Sequence, residues 1–115
     1  MGECLFCKIA RKEIPSAIVY EDDTLIAFKD IFPQAPMHLL IIPKAHSEGL
    51  GDMTPETAAA AARIPQLAAK LAADQGIQAS GWRLISNCGA DGGQSVFHLH
   101  FHLLGGKPLG AKLCQ

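Results

Sequence analysis

A strict alternation of histidine with apolar residues near the end of the chain constrains its fold more than any other feature. The segment reads HLHFHLL, beginning at His98 and ending at Leu104. Successive side chains of a β-strand point to opposite faces, so His98, His100 and His102 share one face of a predicted strand over residues 97–104. Neighbouring imidazoles would lie about 6.6 Å apart, which is twice the rise per residue of a strand. The pattern therefore predicts three titratable rings gathered on one surface.

Three interpretations of these histidines differ in their chemistry. They could line an exposed strand face without a role. However, histidine is an uncommon residue, and chance rarely places it at three successive positions on one face. They could hold a zinc ion with an open position for a metal-bound water. One imidazole could instead attack an electrophile while its neighbours assist, which is covalent catalysis.

A glycine-rich loop directly before this strand favours covalent catalysis. The loop contains Gly92, Gly93, Gln94 and Ser95. Such a loop lets the backbone approach a ligand closely and directs N–H groups at an anion, which beside three histidines indicates a phosphate group. An imidazole that attacks phosphorus must be neutral and held in one tautomer. Fixed donors must also meet the negative charge on the phosphorus oxygens.

Hydrophobic spacing and turn signals predict an α+β domain. A short helix is expected over residues 4–12, and strands are expected over residues 17–20, 25–29, 38–42, 82–87 and 97–104. Thr54 as the cap and Pro55 in the first turn indicate the start of one long helix. This helix should run to about Gln75, with a kink at Pro65 and a stop at Gly76. The result is an antiparallel five-stranded sheet with a helix packed on one face.

Length and charge limit the class of protein. A chain of 115 residues is one domain of ordinary size. Ten basic and eleven acidic side chains give a formal net charge of -1, which excludes a strongly basic nucleic-acid binder and a polybasic membrane-surface protein. No apolar run approaches the ~20 residues that span a bilayer, and no basic patch leads into an apolar stretch at the N-terminus. We therefore expect a cytoplasmic protein that binds neither nucleic acid nor a membrane.

The histidine-rich segment resembles the His-φ-His-φ-His-φ-φ signature of the histidine triad family, where φ is apolar. Other segments resemble the same family along nearly the whole chain: residues 6–9 (FCKI), 12–15 (KEIP), 30–38 (DIFPQAPMH), 42–46 (IPKAH) and 92–95 (GGQS). The resemblance is to the branch of purine nucleoside phosphoramidases, homodimers that hydrolyse the P–N bond of adenosine or guanosine 5′-phosphoramidates. It implies a single histidine-triad domain over residues 1–115, whose sheet continues into that of a second subunit.

The resemblance also implies roles for individual residues. His100 would be the nucleophile on the α-phosphorus, forming a nucleotidyl-histidine that water then hydrolyses. His102 and Ser95 would hold the phosphate, and His38 would support the histidines from the facing strand. Asp30 would bind the ribose hydroxyls. Further phosphate contacts would come from Asn87, Gly93, Gln94 and Val96, and the purine slot would be lined by Phe6, Ile9, Phe28, Ile31 and Leu40.

Some of these roles have alternatives. The apolar residues of the purine slot could equally belong to an ordinary core, and Asp30 could cap a loop with its carboxylate. The well-studied animal members end in a tail whose aromatic residue reaches toward the partner's site, whereas residues 107–115 contain no tryptophan. The leaving-group preference is therefore open. A histidine at position 102 argues against the related hexose-phosphate uridylyltransferases, which carry glutamine there.

A C-x-x-C pair near the start of the chain predicts a metal site. In a helix, Cys4 and Cys7 present both sulfurs on one face, and tetrahedral zinc needs two further ligands. Family members that keep this pair resemble the present chain at His46 and His98 as the other zinc ligands. Such a site would be closed and structural, tying the N-terminal helix to the sheet, and no cofactor would be required for catalysis at His100. The alternatives are a redox-active C-x-x-C and a metal-free pair of packed thiols.

Together, these features predict a homodimeric hydrolase of purine nucleoside 5′-phosphoramidates that acts through His100. Hydrolysis of dinucleoside polyphosphates or aminoacyl-adenylates would use the same nucleophile. A nucleotide-binding scaffold protein and a hydrolase built on three zinc-binding histidines are alternatives of a different class.

Overall fold

The computed structural model describes residues 4–113, in which helices pack on both faces of an antiparallel sheet. The helices are α1 (Leu5–Ala10), α2 (Pro55–Ala61) and α3 (Ile64–Asp74), with a 3₁₀ turn at Leu50–Asp52. The strands are β1 (Ile18–Glu21), β2 (Leu25–Lys29), β3 (Met37–Pro43), β4 (Trp82–Ile85) and β5 (Phe101–Gly105). They form one five-stranded sheet in the order β1-β2-β3-β5-β4, which confirms the predicted α+β architecture. No helix within residues 4–113 has both the length and the apolar character needed to cross a bilayer.

Alternation along the central strand β3 divides the core into two layers. Leu39 and Ile41 pack in the larger layer, together with buried residues of α2 and α3. Leu40 and Ile42 point to the opposite face and pack with Phe6 of α1 in a smaller layer. Every residue of β3 is buried, as expected for a strand covered on both faces. The α1 face is the one that carries the histidines.

The predicted long helix divides into α2 and α3. The Thr54 hydroxyl accepts a hydrogen bond from the Thr57 N–H at 3.1 Å, so α2 has the predicted cap. The chain leaves the helix at Ala62 and Arg63, and Pro65 falls in the first turn of α3, where its missing N–H costs no hydrogen bond. The Arg63 side chain donates a hydrogen bond to Asp22 at 2.6 Å, which connects the break between α2 and α3 to the turn between β1 and β2.

Strand β5 is shorter than predicted, because it begins at Phe101 and not at residue 97. The pairing of β3 with β5 ends at Ile41 opposite Phe101, and continuing that register would place Pro43 opposite Leu99. Proline has no N–H to donate to a ladder, so the sheet cannot extend further here. The Leu99 N–H instead donates to the Ser47 carbonyl at 2.7 Å. His98 and His100 therefore lie in an irregular segment before the strand. Strand β4 likewise ends at Ile85, before the predicted boundary at residue 87.

We expect Leu103→Ala to destabilise the protein strongly. Leu103 is fully buried and pairs with Leu39 and Leu84 at the centre of the larger core layer. Truncating a buried leucine to alanine removes apolar burial and leaves a cavity, at a cost of about 2–5 kcal/mol in the free energy of unfolding. Urea unfolding measures this change. Leu113→Ala is the matched control, since Leu113 is 87% exposed and its truncation should change stability by less than about 0.5 kcal/mol. Equal losses in the two variants would contradict the assigned core.

Candidate active site and metal centre

A cavity of about 520 Å³ opens on the α1 face of the sheet, bordered by α1, the loop after β2 and the segment before β5. Its volume lies in the range of small-molecule sites. Most of the predicted catalytic and substrate-binding residues line it, namely Phe6, Ile9, Phe28, Asp30, Ile31, His38, Leu40, Ser95, Val96, His100 and His102. The fold therefore brings together residues that are distant in the sequence.

One wall of this cavity is apolar and belongs to the core at the same time. Phe6 and Phe28 meet edge to face with their ring centroids 5.6 Å apart, and both are buried together with Ile9 and Leu40. These side chains are core residues and line the cavity, so the two interpretations of the sequence describe the same surface. Ile31 is 82% exposed and lies at the mouth of the cavity.

The ring of His100 is held in one tautomer by its own backbone neighbour. Its Nδ1 lies 2.7 Å from the main-chain oxygen of His98. A carbonyl oxygen only accepts, so Nδ1 carries the proton and Nε2 keeps a free lone pair. Burial lowers the pKa of His100 from its ordinary value, which favours the neutral ring. The edge contact with the Phe6 ring, at 5.1 Å between centroids, also restricts its orientation.

The opposite tautomer is imposed on His102 through His38. The backbone N–H of Gln34 donates to Nδ1 of His38 at 3.0 Å, so His38 carries its proton on Nε2. That Nε2–H donates to Nδ1 of His102 at 2.9 Å, which leaves His102 protonated on Nε2. Burial lowers the pKa of His102 to about 4 and also lowers that of His38, although the Asp30 carboxylate opposes both shifts. His102 is therefore a neutral hydrogen-bond donor beside the lone pair of His100.

The carboxylate of Asp30 has two different environments. Its Oδ1 accepts the N–H of Phe32 at 2.8 Å, which is the loop-capping arrangement considered from the sequence. Its Oδ2 lies 3.4 Å from Nε2 of His38. Asp30 therefore supports the loop with one oxygen, while the residue lines the cavity beside the histidines.

Three residues predicted to contact phosphate do not line this cavity: Asn87, Gly93 and Gln94. The Gln94 side chain is buried within its own loop, where Oε1 accepts the Gly89 N–H at 2.8 Å and Nε2 donates to the Val96 carbonyl at 3.0 Å. The backbone N–H groups of Gly93 and Gln94 donate to the carbonyls of Ala90 and Gly89. These hydrogen bonds shape the loop that presents Ser95 and Val96 to the cavity.

Asn87 lines a neighbouring cavity of about 460 Å³. His38 and His102 separate the two cavities, since both residues line each of them. Arg83 and Lys107 also line the second cavity, so cationic side chains lie beyond His102. Sequence reasoning missed this pair, because nothing in the local pattern around either residue indicates that they meet.

A second cluster of functional side chains lies where α1 meets the sheet. The ligand atoms of Cys4, Cys7, His46 and His98 all lie within 4.8 Å of one another. Nδ1 of His98 is 3.3 Å from the Cys4 sulfur, 3.5 Å from the Cys7 sulfur and 3.2 Å from Nδ1 of His46. Atoms that share one tetrahedral zinc at ordinary bond lengths are separated by about 3.3–3.8 Å. Two thiols and two imidazoles at these distances can bind a metal ion.

The protonation of His98 also suits metal binding. Its Nε2 lies 2.8 Å from the Pro43 carbonyl and must donate to that oxygen, so Nδ1 presents its lone pair to the cluster. Burial lowers the pKa of His98 to about 4, which keeps the ring neutral. His98 is buried, Cys4 and Cys7 are half-buried, and His46 is exposed at the rim.

A third grouping, of Asp30, His38 and His102, does not fit a metal ion despite its compact geometry. The Gln34 N–H occupies the lone pair of His38 Nδ1, so a proton on Nε2 blocks the other nitrogen. This tautomer depends on a backbone amide that sequence reasoning missed, because the type of side chain at position 34 gives no signal for it.

Comparisons with known proteins agree with this geometry. A family model described as the HIT domain matches residues 11–109. The chain is 51% identical over 113 residues to a purine nucleoside phosphoramidase of Escherichia coli K12, covering 98% of this chain and 95% of the relative. A HIT family hydrolase from Clostridium thermocellum is 50% identical, with a TM-score of 0.91 and 98% coverage of both chains. A histidine triad protein from Clostridium difficile is 45% identical, with a TM-score of 0.91 over 98% of this chain and 100% of that one. The resemblance noted in the sequence is thereby confirmed, and the chain belongs to the histidine triad (HIT) family.

Proposed function

We propose that this protein hydrolyses the P–N bond of purine nucleoside 5′-phosphoramidates and releases AMP or GMP. The observation that carries the proposal is the tautomer of His100, which leaves a neutral Nε2 with a free lone pair at a cavity of nucleotide size. The name of the relative from Escherichia coli, a purine nucleoside phosphoramidase, supports the choice of substrate class.

The reaction is a double displacement at the α-phosphorus. Nε2 of His100 donates its lone pair to phosphorus, and the P–N bond breaks as the leaving nitrogen takes up a proton from the solvent and departs as an amine. The nucleotidyl imidazole is positively charged, and its Nδ1–H remains bound to the His98 carbonyl. Water then attacks the same phosphorus, the bond to Nε2 breaks, and the nucleotide leaves with the hydroxyl of the water. The remaining proton of the water is released, so His100 returns to its neutral state.

Negative charge on the phosphorus oxygens is met by donors fixed before the substrate arrives. His102 offers its Nε2–H, because His38 and the Gln34 amide prevent the other tautomer. Ser95 and Val96 line both this cavity and a groove beside it that is also lined by Cys4, Cys7 and His46. We assign Ser95 to the phosphate and to the side of the leaving group. Asn87 would approach the phosphate from the second cavity.

The nucleoside is recognised by the two remaining parts of the cavity. The Phe6, Ile9, Phe28 and Leu40 wall offers apolar surface for a purine, and Ile31 covers it from the mouth. Asp30 has Oδ2 free of the loop-capping bond, so this oxygen can accept hydrogen bonds from the ribose hydroxyls.

A hydrolase built on three zinc-binding histidines is disfavoured by the same geometry. The His98 ring is directed to the cysteines, 3.3 Å from the Cys4 sulfur, and not to the other two rings of the triad. His100 belongs to none of the metal-ligating clusters formed by the described residues.

We expect His100→Ala to abolish release of AMP from adenosine 5′-phosphoramidate. Removing a nucleophile that forms a covalent intermediate lowers kcat by at least about 10³-fold. Chromatographic detection of AMP over time measures the effect. Retained affinity of the variant for AMP, measured by calorimetry, shows that the cavity is intact.

Two outcomes would contradict this proposal. Turnover by His100→Ala close to that of the wild type would exclude His100 as the nucleophile. A wild-type protein that binds AMP but cleaves no phosphoramidate would favour cleavage of dinucleoside polyphosphates or a binding function.

We also infer that the cysteine and histidine cluster holds a structural zinc ion. Zinc suits two thiolates and two neutral imidazoles, and Cys4, Cys7, His46 and His98 would be its ligands. A bound zinc ion would supply a cross-link between α1, the loop after β3 and the segment before β5.

The zinc assignment predicts one zinc ion per chain and its loss in Cys7→Ser. Cys7 lies 3.4 Å from Nδ1 of His46 and 3.5 Å from Nδ1 of His98, so its removal breaks the ligand set at the centre. Elemental analysis after dialysis measures the content. Cys88→Ser is the matched control, because Cys88 is an exposed cysteine outside the cluster. Equal zinc content in the two variants would rule out this site.

We infer further that the protein is a cytoplasmic homodimer joined through β4. The sheet has β1 and β4 at its edges, and the pairing of β1 is irregular between Ile18 and Tyr20. Bulges protect an edge from further pairing, whereas β4 pairs regularly with β5 and offers a free edge. Two such edges related by a twofold axis would produce one continuous sheet.

The dimer predicts a particle of about twice the chain mass in sedimentation equilibrium at micromolar concentration. Single chains that are fully active at the same concentration would contradict it.

A further inference from the structure

The metal-binding cluster and the candidate nucleophile meet in one residue. The ring of His98 belongs to the cluster, with Nδ1 at 3.3 Å from the Cys4 sulfur. The main-chain oxygen of the same residue accepts the Nδ1–H of His100 at 2.7 Å. Any shift of the His98 backbone therefore changes the acceptor that orients His100.

The His98 backbone is not held by the sheet. Pairing of β3 with β5 ends at Phe101, so the segment from His98 to His100 lies outside the ladder. Three hydrogen bonds hold it instead: the Leu99 N–H donates to the Ser47 carbonyl, His98 Nε2–H donates to the Pro43 carbonyl, and the Ser86 hydroxyl donates to the His100 carbonyl at 2.9 Å. Nδ1, on the other edge of the His98 ring, lies among the cluster ligands, so metal binding would add a fourth anchor to this segment.

The same cluster also holds the wall beside His100. Helix α1 has six residues, a length that is marginal without tertiary support. Cys4 is its N-cap residue and Cys7 lies within it, so both thiols of the cluster come from this helix. Phe6, between them, meets the rings of His100 at 5.1 Å and His98 at 6.0 Å.

We propose that metal binding by Cys4, Cys7, His46 and His98 positions the nucleophile of the HIT triad. When a metal ion links the four ligands, His98 is a positioning residue, and its carbonyl fixes both the Nδ1–H tautomer and the orientation of His100. Without metal, the segment from His98 to His100 keeps its three hydrogen bonds but loses the link through the His98 ring, and the His100 ring samples other orientations. The inference rests on the proposed function only for its effect on turnover, since the effect on the ring itself needs no substrate.

The kinetic consequence is a change in kcat that exceeds the change in KM. Loss of an outer contact that orients a reacting group costs about 10- to 100-fold in rate. Of the purine wall, Phe28 and Leu40 belong to strands β2 and β3 and keep their place without metal, whereas Phe6 and Ile9 belong to α1, so KM should rise by a smaller factor than kcat falls. Turnover persists at the lower rate, because the nucleophile itself is still present.

The decisive experiment compares zinc-loaded, metal-free and zinc-reconstituted wild-type protein labelled with ¹⁵N at histidine. Long-range proton–nitrogen spectra distinguish the two ring tautomers, and the signals of His100 are assigned by their disappearance in His100→Ala. We expect a single Nδ1–H tautomer of His100 in the loaded protein, averaged signals after chelation, and recovery when zinc is restored. The kcat for phosphoramidate should fall and recover in parallel. Cys7→Ser should resemble the metal-free protein, and Cys88→Ser should resemble the loaded one.

Three results would overturn the proposal, and a fourth would overturn only the proposed substrate. Identical His100 signals with and without zinc would show that the three hydrogen bonds of this segment suffice. A kcat unchanged within twofold after complete zinc removal would separate the cluster from catalysis. Global unfolding on chelation, seen as collapse of the amide spectrum, would make the metal a support of the whole domain and not a positioning device. A protein that shows the spectroscopic change but no turnover would refute the proposed substrate and leave the positioning intact.

Discussion

The hydrogen bond between the His100 ring and the His98 carbonyl is the interaction on which the candidate site depends. An imidazole in water exchanges between two neutral tautomers, and only a fixed acceptor selects one of them. Here the acceptor is a main-chain oxygen two residues away, at 2.7 Å. The path of the backbone therefore decides which nitrogen of His100 keeps its lone pair, and everything that holds this path contributes to the proposed chemistry.

The path of the backbone follows from the point at which the sheet ends. Pro43 closes β3 and cannot continue the ladder opposite Leu99. Its carbonyl instead accepts the Nε2–H of His98, and the Leu99 N–H donates to Ser47. Release from the ladder allows one histidine of the alternating segment to join the cysteines of α1 while the next two remain at the cavity. A fully paired strand would have kept all three rings in one row.

The sequence predicted which residues come together at the two sites better than it predicted the path of the backbone between them. The alternating histidines and the C-x-x-C pair are local patterns that do not depend on how the strands pair. Thr54 likewise caps any helix that begins at that position. The early end of the sheet depends on the register in which β3 pairs with β5, because this register places Pro43 opposite Leu99. Local sequence does not determine that register. The Gln34 amide that fixes His38 was equally inaccessible, because every residue except proline carries the same backbone donor.

Two chemically identical side chains, His100 and His102, acquire opposite tautomers through their hydrogen-bond partners. His100 gives its Nδ1 proton to a carbonyl and keeps a lone pair on Nε2, while His102 receives a proton at Nδ1 from His38 and keeps its own on Nε2. Their ring centroids are 5.0 Å apart, so a lone pair and a donor stand side by side at the same cavity. Burial lowers the pKa of both rings, because an imidazolium is poorly solvated there, and this favours the neutral forms. Attack on phosphorus and stabilisation of its oxygens need these two states together, and each state is set by a backbone group: the His98 carbonyl directly, and the Gln34 amide through His38.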